Sequence, residues 1–169
     1  TAALHGKAAT VALLISRRAD VHALGQLGLT TLMMGIHSEI DNIGIINLLV
    51  KAGVIVNALS GEVRKGKGHN VSLVQLIERT SALHFACLLA KLESVQFLLD
   101  HGADINITNG LGDRPLHMAV YKNRIEITDI LIKRGAMIDS PGADGVTSLC
   151  LAAMRESSEM VSFLLANKA

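Results

Sequence analysis

Aromatic residues are scarce in this 169-residue chain, which holds three Phe, one Tyr and no Trp. A ring-lined pocket is therefore excluded, and packing has to rest on Leu, Ile, Val and Ala within a 50% hydrophobic composition. Cysteine is nearly absent: Cys87 and Cys150 are the only two. Two isolated thiols argue against a disulfide framework and for a reducing compartment. Charge of one sign is missing as well, since 16 Lys and Arg face 15 Asp and Glu for a formal net charge of +1. Such a chain has no field strong enough to recruit nucleic acid. Apolar runs stay well below the ~18 residues of a membrane span, and Thr1 is not followed by a charged-then-apolar leader. No membrane insertion is expected, and the expected location is the cytoplasm, the nucleus or both.

What the chain does have is a period. Gly102 is followed 33 residues later by Gly135 and after another 33 by Lys168, each preceded by an apolar run such as Phe97-Leu98-Leu99, Ile130-Leu131-Ile132 or Phe163-Leu164-Leu165. The register also runs backwards, with Gly53 after Leu48-Leu49-Val50 and Arg18 after Leu13-Leu14-Ile15. A period near 33 means supersecondary units that cannot bury their apolar faces alone and so stack on one another. Within a unit, Pro115 suits the first position of a helix, because its missing N–H would be unpaired there. Asn123 suits a short inter-helix break, and a second apolar helix from Ile125 to Ile132 stops near Gly135. Thr147 is the expected N-cap of the next copy. The unit is helix, turn, helix and an extended arm.

Arg114-Pro115-Leu116-His117, Ala82-Leu83-His84-Phe85-Ala86 and Gly102-Ala103-Asp104-Ile105-Asn106 resemble the signature of the ankyrin repeat, and the resemblance covers nearly the whole chain. It implies an all-α ankyrin-repeat solenoid of stacked helix-turn-helix units with hairpin fingers. Five copies are expected: a partial one over 1–24, then 25–57, 81–108, 109–140 and a truncated fifth over 141–169. An extended finger or insertion occupies 58–80. Thr31 stands in the proline slot, Met33 and Cys150 in the histidine slot, and Arg18 and Lys168 in the glycine slot. The incomplete end copies suggest a piece of a longer array, and a monomer is the expected state.

The insertion is measured by the spacing itself. Gly53 to Ser81 is 28 residues, whereas Gly102 to Arg114 and Gly135 to Thr147 are 12, which leaves 16 extra. Ser60 to Asn70 is polar and glycine-rich, and Val71 to Ile77 is apolar enough to pack back, so a lengthened hairpin finger and a disordered loop both fit. Gly61 to Lys67 has the spacing of a phosphate-binding loop, but Gly68 stands where a Ser or Thr hydroxyl is needed for magnesium. No nucleotide or other cofactor is expected.

Chemistry is equally thin elsewhere. None of the seven histidines pairs with Cys or a carboxylate at metal-ligand spacing, and no nucleophile, base and acid fall on one structural layer. The chain is therefore expected to be no enzyme and to hold no metal. His84 and His117, at the helix start, are placed to hydrogen-bond across to a neighbouring repeat. Asn70-Val71-Ser72 and Asn106-Ile107-Thr108 fit the N-glycosylation pattern, which is silent outside a secretory setting.

The resemblance further implies a non-catalytic scaffold for protein-protein interaction, binding a protein or peptide on the concave side made of arm tips and first helices. There the chain is expected to present Met34, His37, Phe85, Leu88, Leu89, Met118, Tyr121, Lys122, Met154 and Arg155, with Leu27, Leu29, Leu111 and Asp113 from the tips. The set is apolar and rich in Met, as interaction surfaces are. The competing view makes several of these residues inner-face core. Two other roles follow from the family likeness: a substrate-recognition module of a larger enzyme or ubiquitin-ligase adaptor, and a substrate of an asparaginyl hydroxylase. For the latter, Asn106 has an acid at Asp104, an aliphatic residue at Ile105 and a leucine at Leu98, whereas Asn57 has Ile55 in place of the acid.

Overall fold

The structure is a computed structural model and describes residues 8–37, 42–61 and 78–169. Among these residues there are nine α-helices and no strand. Thr1 to Gly6, which align with the middle of a first helix in the partial first copy, lie outside the described residues, as does the segment 62–77 of the insertion. The helices are α1 (Ala8–Ser16), α2 (Thr31–His37), α3 (Asn42–Lys51), α4 (Ala82–Leu88), α5 (Leu92–Asp100), α6 (Pro115–Tyr121), α7 (Ile125–Lys133), α8 (Ser148–Met154) and α9 (Ser158–Ala166). Four of them, α2, α4, α6 and α8, have seven residues, too few to persist alone in water. Each gains stability by packing on its own second helix and on the first helix of the adjoining repeat.

The side chains that make this stacking possible recur in register. Gly35, Ala86, Ala119 and Ala152 occupy equivalent first-helix positions, and the three alanines are completely buried. A small side chain here lets each first helix approach its second helix: a Cβ on Gly35 would stand 3.1 Å from Ile45 and 3.5 Å from Leu49. Leu49, Leu98, Leu131 and Leu164 form the matching line on the second helices, all at 0–1% exposure. Within α5, α7 and α9 the buried partners Val95, Ile127 and Met160 precede these leucines by three or four residues, the spacing of one helical face.

Helix starts follow local chemistry. Thr147 caps α8 by accepting from the Cys150 N–H at 3.4 Å, and Pro115 opens α6. Helix ends depend on left-handed backbone. The slot after each second helix has φ of 85° at Gly53, 83° at Gly102 and 93° at Gly135, and Arg18 and Lys168 adopt 59° and 67° there despite carrying a Cβ. Ala90, Asn123 and Glu156 hold the same conformation between paired helices.

The arms are closed by backbone bonds across their tips rather than by strands, and the only bridge among the described residues joins Leu59 and Ser81. Gly25, Asn109 and Gly142 N–H groups donate across their tips to the carbonyls of Leu29, Asp113 and Val146 at 2.8–2.9 Å. In the insertion the same closure runs from the Ser60 N–H to the Thr80 carbonyl at 2.8 Å, spanning 20 residues rather than four. The Thr80 N–H also donates to the Ser60 hydroxyl at 2.9 Å, so the two described flanks of the insertion are held together.

Because a Cβ at position 102 would meet nothing within 4 Å, the cost of Gly102→Ala lies in the backbone alone. Urea unfolding should show a loss of about 1 kcal/mol for Gly102→Ala, and a gain of ~0.5 kcal/mol for Arg18→Gly in the same slot.

Candidate functional site

The tips and first helices are held in place by a network that crosses from repeat to repeat. Asn109, 6% exposed, accepts the N–H groups of Leu111 and Asp113 on its Oδ1, both at 2.9 Å, and so shapes the tip of the fourth repeat. The Asp113 carbonyl accepts from His84 Nε2 at 2.9 Å, joining the third repeat to the fourth. On the other side of the imidazole, Nδ1 accepts the Ser81 N–H at 3.3 Å and lies 2.8 Å from the Ser81 hydroxyl. The ring is thus the neutral Nε2–H tautomer. Burial is the main reason its pKa is lowered to about 4, opposed in part by the Asp113 carbonyl and charge.

Asp113 continues the chain of contacts by accepting the Ala143 N–H on Oδ1 at 2.9 Å, which ties the fourth tip to the fifth. The backbone at Gly142 passes so near the Asp113 carboxylate and the His117 ring that a Cβ there would collide with both. His117 repeats the His84 arrangement in part: its Nδ1 accepts the Arg114 N–H at 3.1 Å, and burial lowers its pKa.

A second set of bonds runs through the arms. Asn57 donates from Nδ2 to the Gly102 carbonyl at 3.0 Å and accepts the Asp104 N–H at 2.8 Å. Asn106 does the same one repeat later, donating to the Gly135 carbonyl at 3.4 Å and accepting the Met137 N–H at 3.0 Å. Its own N–H donates to Asp104 Oδ1 at 2.9 Å. The acid two residues before Asn106 thus has a structural task, and the carboxamide is engaged at both ends.

Against this frame the expected binding residues separate. Phe85, Leu88 and Met118 are only 5%, 8% and 3% exposed, which corrects the expectation that repeat packing leaves them over. A seven-residue helix flanked by a first helix on each side uses nearly its whole circumference, so these side chains fill the joints. Leu27, Leu29, Met34, Leu89, Asp113 and Tyr121 are half-buried, and His37, Leu111, Lys122, Met154 and Arg155 are exposed. His37 lies stacked on Phe85 with ring centroids 6.2 Å apart.

Asp113, Met118, Tyr121 and Met154 meet around one pocket of about 200 Å³ between the fourth and fifth repeats, with Asp144 and Val146 on its tip side. Arg155 lies over the Tyr121 ring at 4.5 Å and Lys122 at 5.6 Å. Met34 belongs to a different pocket of about 340 Å³, lined by Val11, Leu14, Ile15 and Leu24 among others. Sequence patterning missed that apolar hollow because these residues occupy expected core slots. It also missed Gly142, whose signal was its place between Pro141 and the tip Asp144.

Groups that would carry chemistry stay apart. Among the described residues no cluster of three His, Cys, Asp or Glu could hold a metal ion. Cys87 is buried, which pushes its thiol pKa up, and Cys150 is exposed; neither is in a disulfide. No helix among the described residues is long and apolar enough to cross a membrane. The phosphate-loop spacing and Asn70 lie in or run into the segment outside the described residues.

Sequence comparison finds the family described as "Ankyrin repeats (3 copies)" over residues 1–109, 54–141 and 83–169. The Neurogenic locus Notch protein of Drosophila melanogaster is 32% identical over 155 residues, covering 86% of this chain and 5% of that protein. The DNA replication inhibitor plutonium of the same organism is 30% identical over 100 residues, covering 59% of this chain and 57% of that protein. Palmitoyltransferase AKR1 of Kluyveromyces lactis is 41% identical over 69 residues, covering 38% and 9%. The chain thus spans little more than half of one relative and a small part of the others.

The His84 geometry makes the stack acid-sensitive. Between pH 6.5 and about 4 the unfolded imidazole takes up a proton that the folded one refuses, so stability is full above pH 6.5 and is lost as pH falls through this window. Denaturant unfolding at pH 7 and pH 4 should differ by up to about 3 kcal/mol from His84 alone, and His84→Gln should flatten that part of the slope.

Proposed function

The chain belongs to the ankyrin-repeat family, and we propose that it works as a non-catalytic scaffold that takes a partner protein or peptide on the concave face of its stack. Ankyrin repeats are in general protein-interaction modules. The observation that carries the reading is the fourth-to-fifth-repeat groove, where Tyr121 is half-buried and Met154 is 71% exposed around one pocket, with Leu111 on the fourth tip 42% exposed. Apolar side chains left this open beside a Tyr and two cations match the composition of interaction hot spots. The surface is narrower than the residue pattern alone suggests, since Phe85, Leu88 and Met118 support it from below. A cytoplasmic or nuclear setting, with a monomeric stack, belongs to the same proposal.

Two narrower readings go with it. The similarity to a palmitoyltransferase, of which the chain spans 9%, favours a role as the part of a larger enzyme that selects its substrate. Asn106, with Leu98, Asp104 and Ile105 around it, is the proposed asparaginyl hydroxylase target. Its long 3.4 Å bond to Gly135 makes it less firmly held than Asn57 at 3.0 Å.

A photo-crosslinking residue at Met154 or Leu111 should capture a partner, whereas one at Lys133 on the second helices should not; capture from Lys133 alone would overturn the concave reading. Tyr121→Ala should weaken that partner about tenfold or more, as loss of an interface Tyr typically does. Treatment with an asparaginyl hydroxylase should add one oxygen to Asn106 and leave Asn57 unmodified by mass spectrometry. An unmodified Asn106 would remove the hydroxylation reading.

A further inference from the structure

Resting on the concave-face reading, we propose that the groove between the fourth and fifth repeats receives an extended segment with a cation, an apolar side chain and a carboxylate on alternate residues, lying across the stack. The pocket at its centre, about 200 Å³, is smaller than the roughly 300–1,000 Å³ of small-molecule sites and suits one apolar side chain. Its two ends differ in charge. Asp113 and Asp144 line the tip side, at the N-terminal ends of α6 and α8. Tyr121, the last residue of α6, lines the other side and carries Arg155 and Lys122 over its ring.

The separation follows from helix geometry. From Pro115 to Tyr121 the axis rises ~9 Å at about 1.5 Å per residue, so the acids and the cations are too far apart to neutralise each other by direct contact. Both ends keep the means to bind. Asp113 uses Oδ1 for the Ala143 N–H, and Asp144 is exposed. Arg155 is exposed, with its guanidinium carbon 4.5 Å from the Tyr121 ring centroid, and its fork of five N–H donors suits a carboxylate. Arg114, the cation nearest the acids, is turned instead to the Pro141 carbonyl at 3.0 Å.

Alternate residues of an extended strand share one face, and four steps at ~3.3 Å cover about 13 Å. A cation, an apolar residue and a carboxylate at such spacing therefore reach Asp144, the pocket and Arg155 together. Met154, beside the pocket and 71% exposed, adapts its unbranched side chain to whichever apolar group enters.

The test uses fluorescence anisotropy with labelled dodecapeptides whose centres are Arg-Ser-Leu-Ser-Glu, Arg-Ser-Leu-Ser-Arg, Glu-Ser-Leu-Ser-Glu and Arg-Ser-Ser-Ser-Glu. The first should bind about tenfold tighter than each of the others. The double variant Lys122→Glu with Arg155→Glu should transfer the preference to the peptide with two arginines, and because both positions are exposed its melting curve should match that of the parent. Equal binding of the three leucine peptides, or no binding by any, overturns the proposal. Equal binding of those three with loss in the serine-centred peptide leaves the concave-face reading standing, whereas crosslinking from Lys133 alone removes both.

Discussion

Everything in this stack depends on how closely its short helices can approach one another. The line of Gly35, Ala86, Ala119 and Ala152 sets that distance, because a larger side chain at any of these positions would push a first helix away from its second helix. With the small residues in place, the Leu49, Leu98, Leu131 and Leu164 line closes over them and water is excluded from the joints. Seven-residue helices then persist because each is held on both sides, which is the cooperative logic of a repeat array.

Close approach also decides which polar groups are buried and how they are satisfied. His84 can reach the Asp113 carbonyl because α4 packs directly against α6, and that closeness makes the imidazole a buried neutral linker rather than a surface base. The arm carboxamides of Asn57 and Asn106 act at the same repeat spacing, each joining its own arm to the next. Polar bonds and apolar lines thus fix one register. A slip of one unit against another would leave His84 and both asparagines without their partners at once, so the bonds supply specificity on top of the burial.

The same packing shapes the proposed binding surface by subtraction. Phe85, Leu88 and Met118 are drawn into the joints, and what remains open at the fourth and fifth repeats includes a pocket of about 200 Å³ with Met154 and Tyr121 at its wall. Arg155 and Lys122 lie over Tyr121 at one end, and the tip turns hold Asp113 and Asp144 at the other. The charge order of the groove comes from helix length, since the two ends of a seven-residue helix are too far apart for its flanking acids and bases to pair.

Sequence alone determined the period, the repeat type, the helix starts at Pro115 and Thr147, the left-handed slot at Gly53, Gly102 and Gly135, and even its occupation by Arg18 and Lys168. These are local properties, set by φ angles, capping groups and a 33-residue spacing, and a linear pattern carries them in full. It also placed His84 at a joint between repeats. Tertiary structure alone decided which apolar first-helix residues stay open, because exposure depends on what the neighbouring repeats cover, and Phe85 and Met154 look alike in a one-dimensional pattern. It likewise decided that Asp113 serves the frame, that Gly142 must lack a Cβ, and that acids and cations face each other across one pocket. Those outcomes are distances between residues remote in sequence, and only the stacked chain sets them.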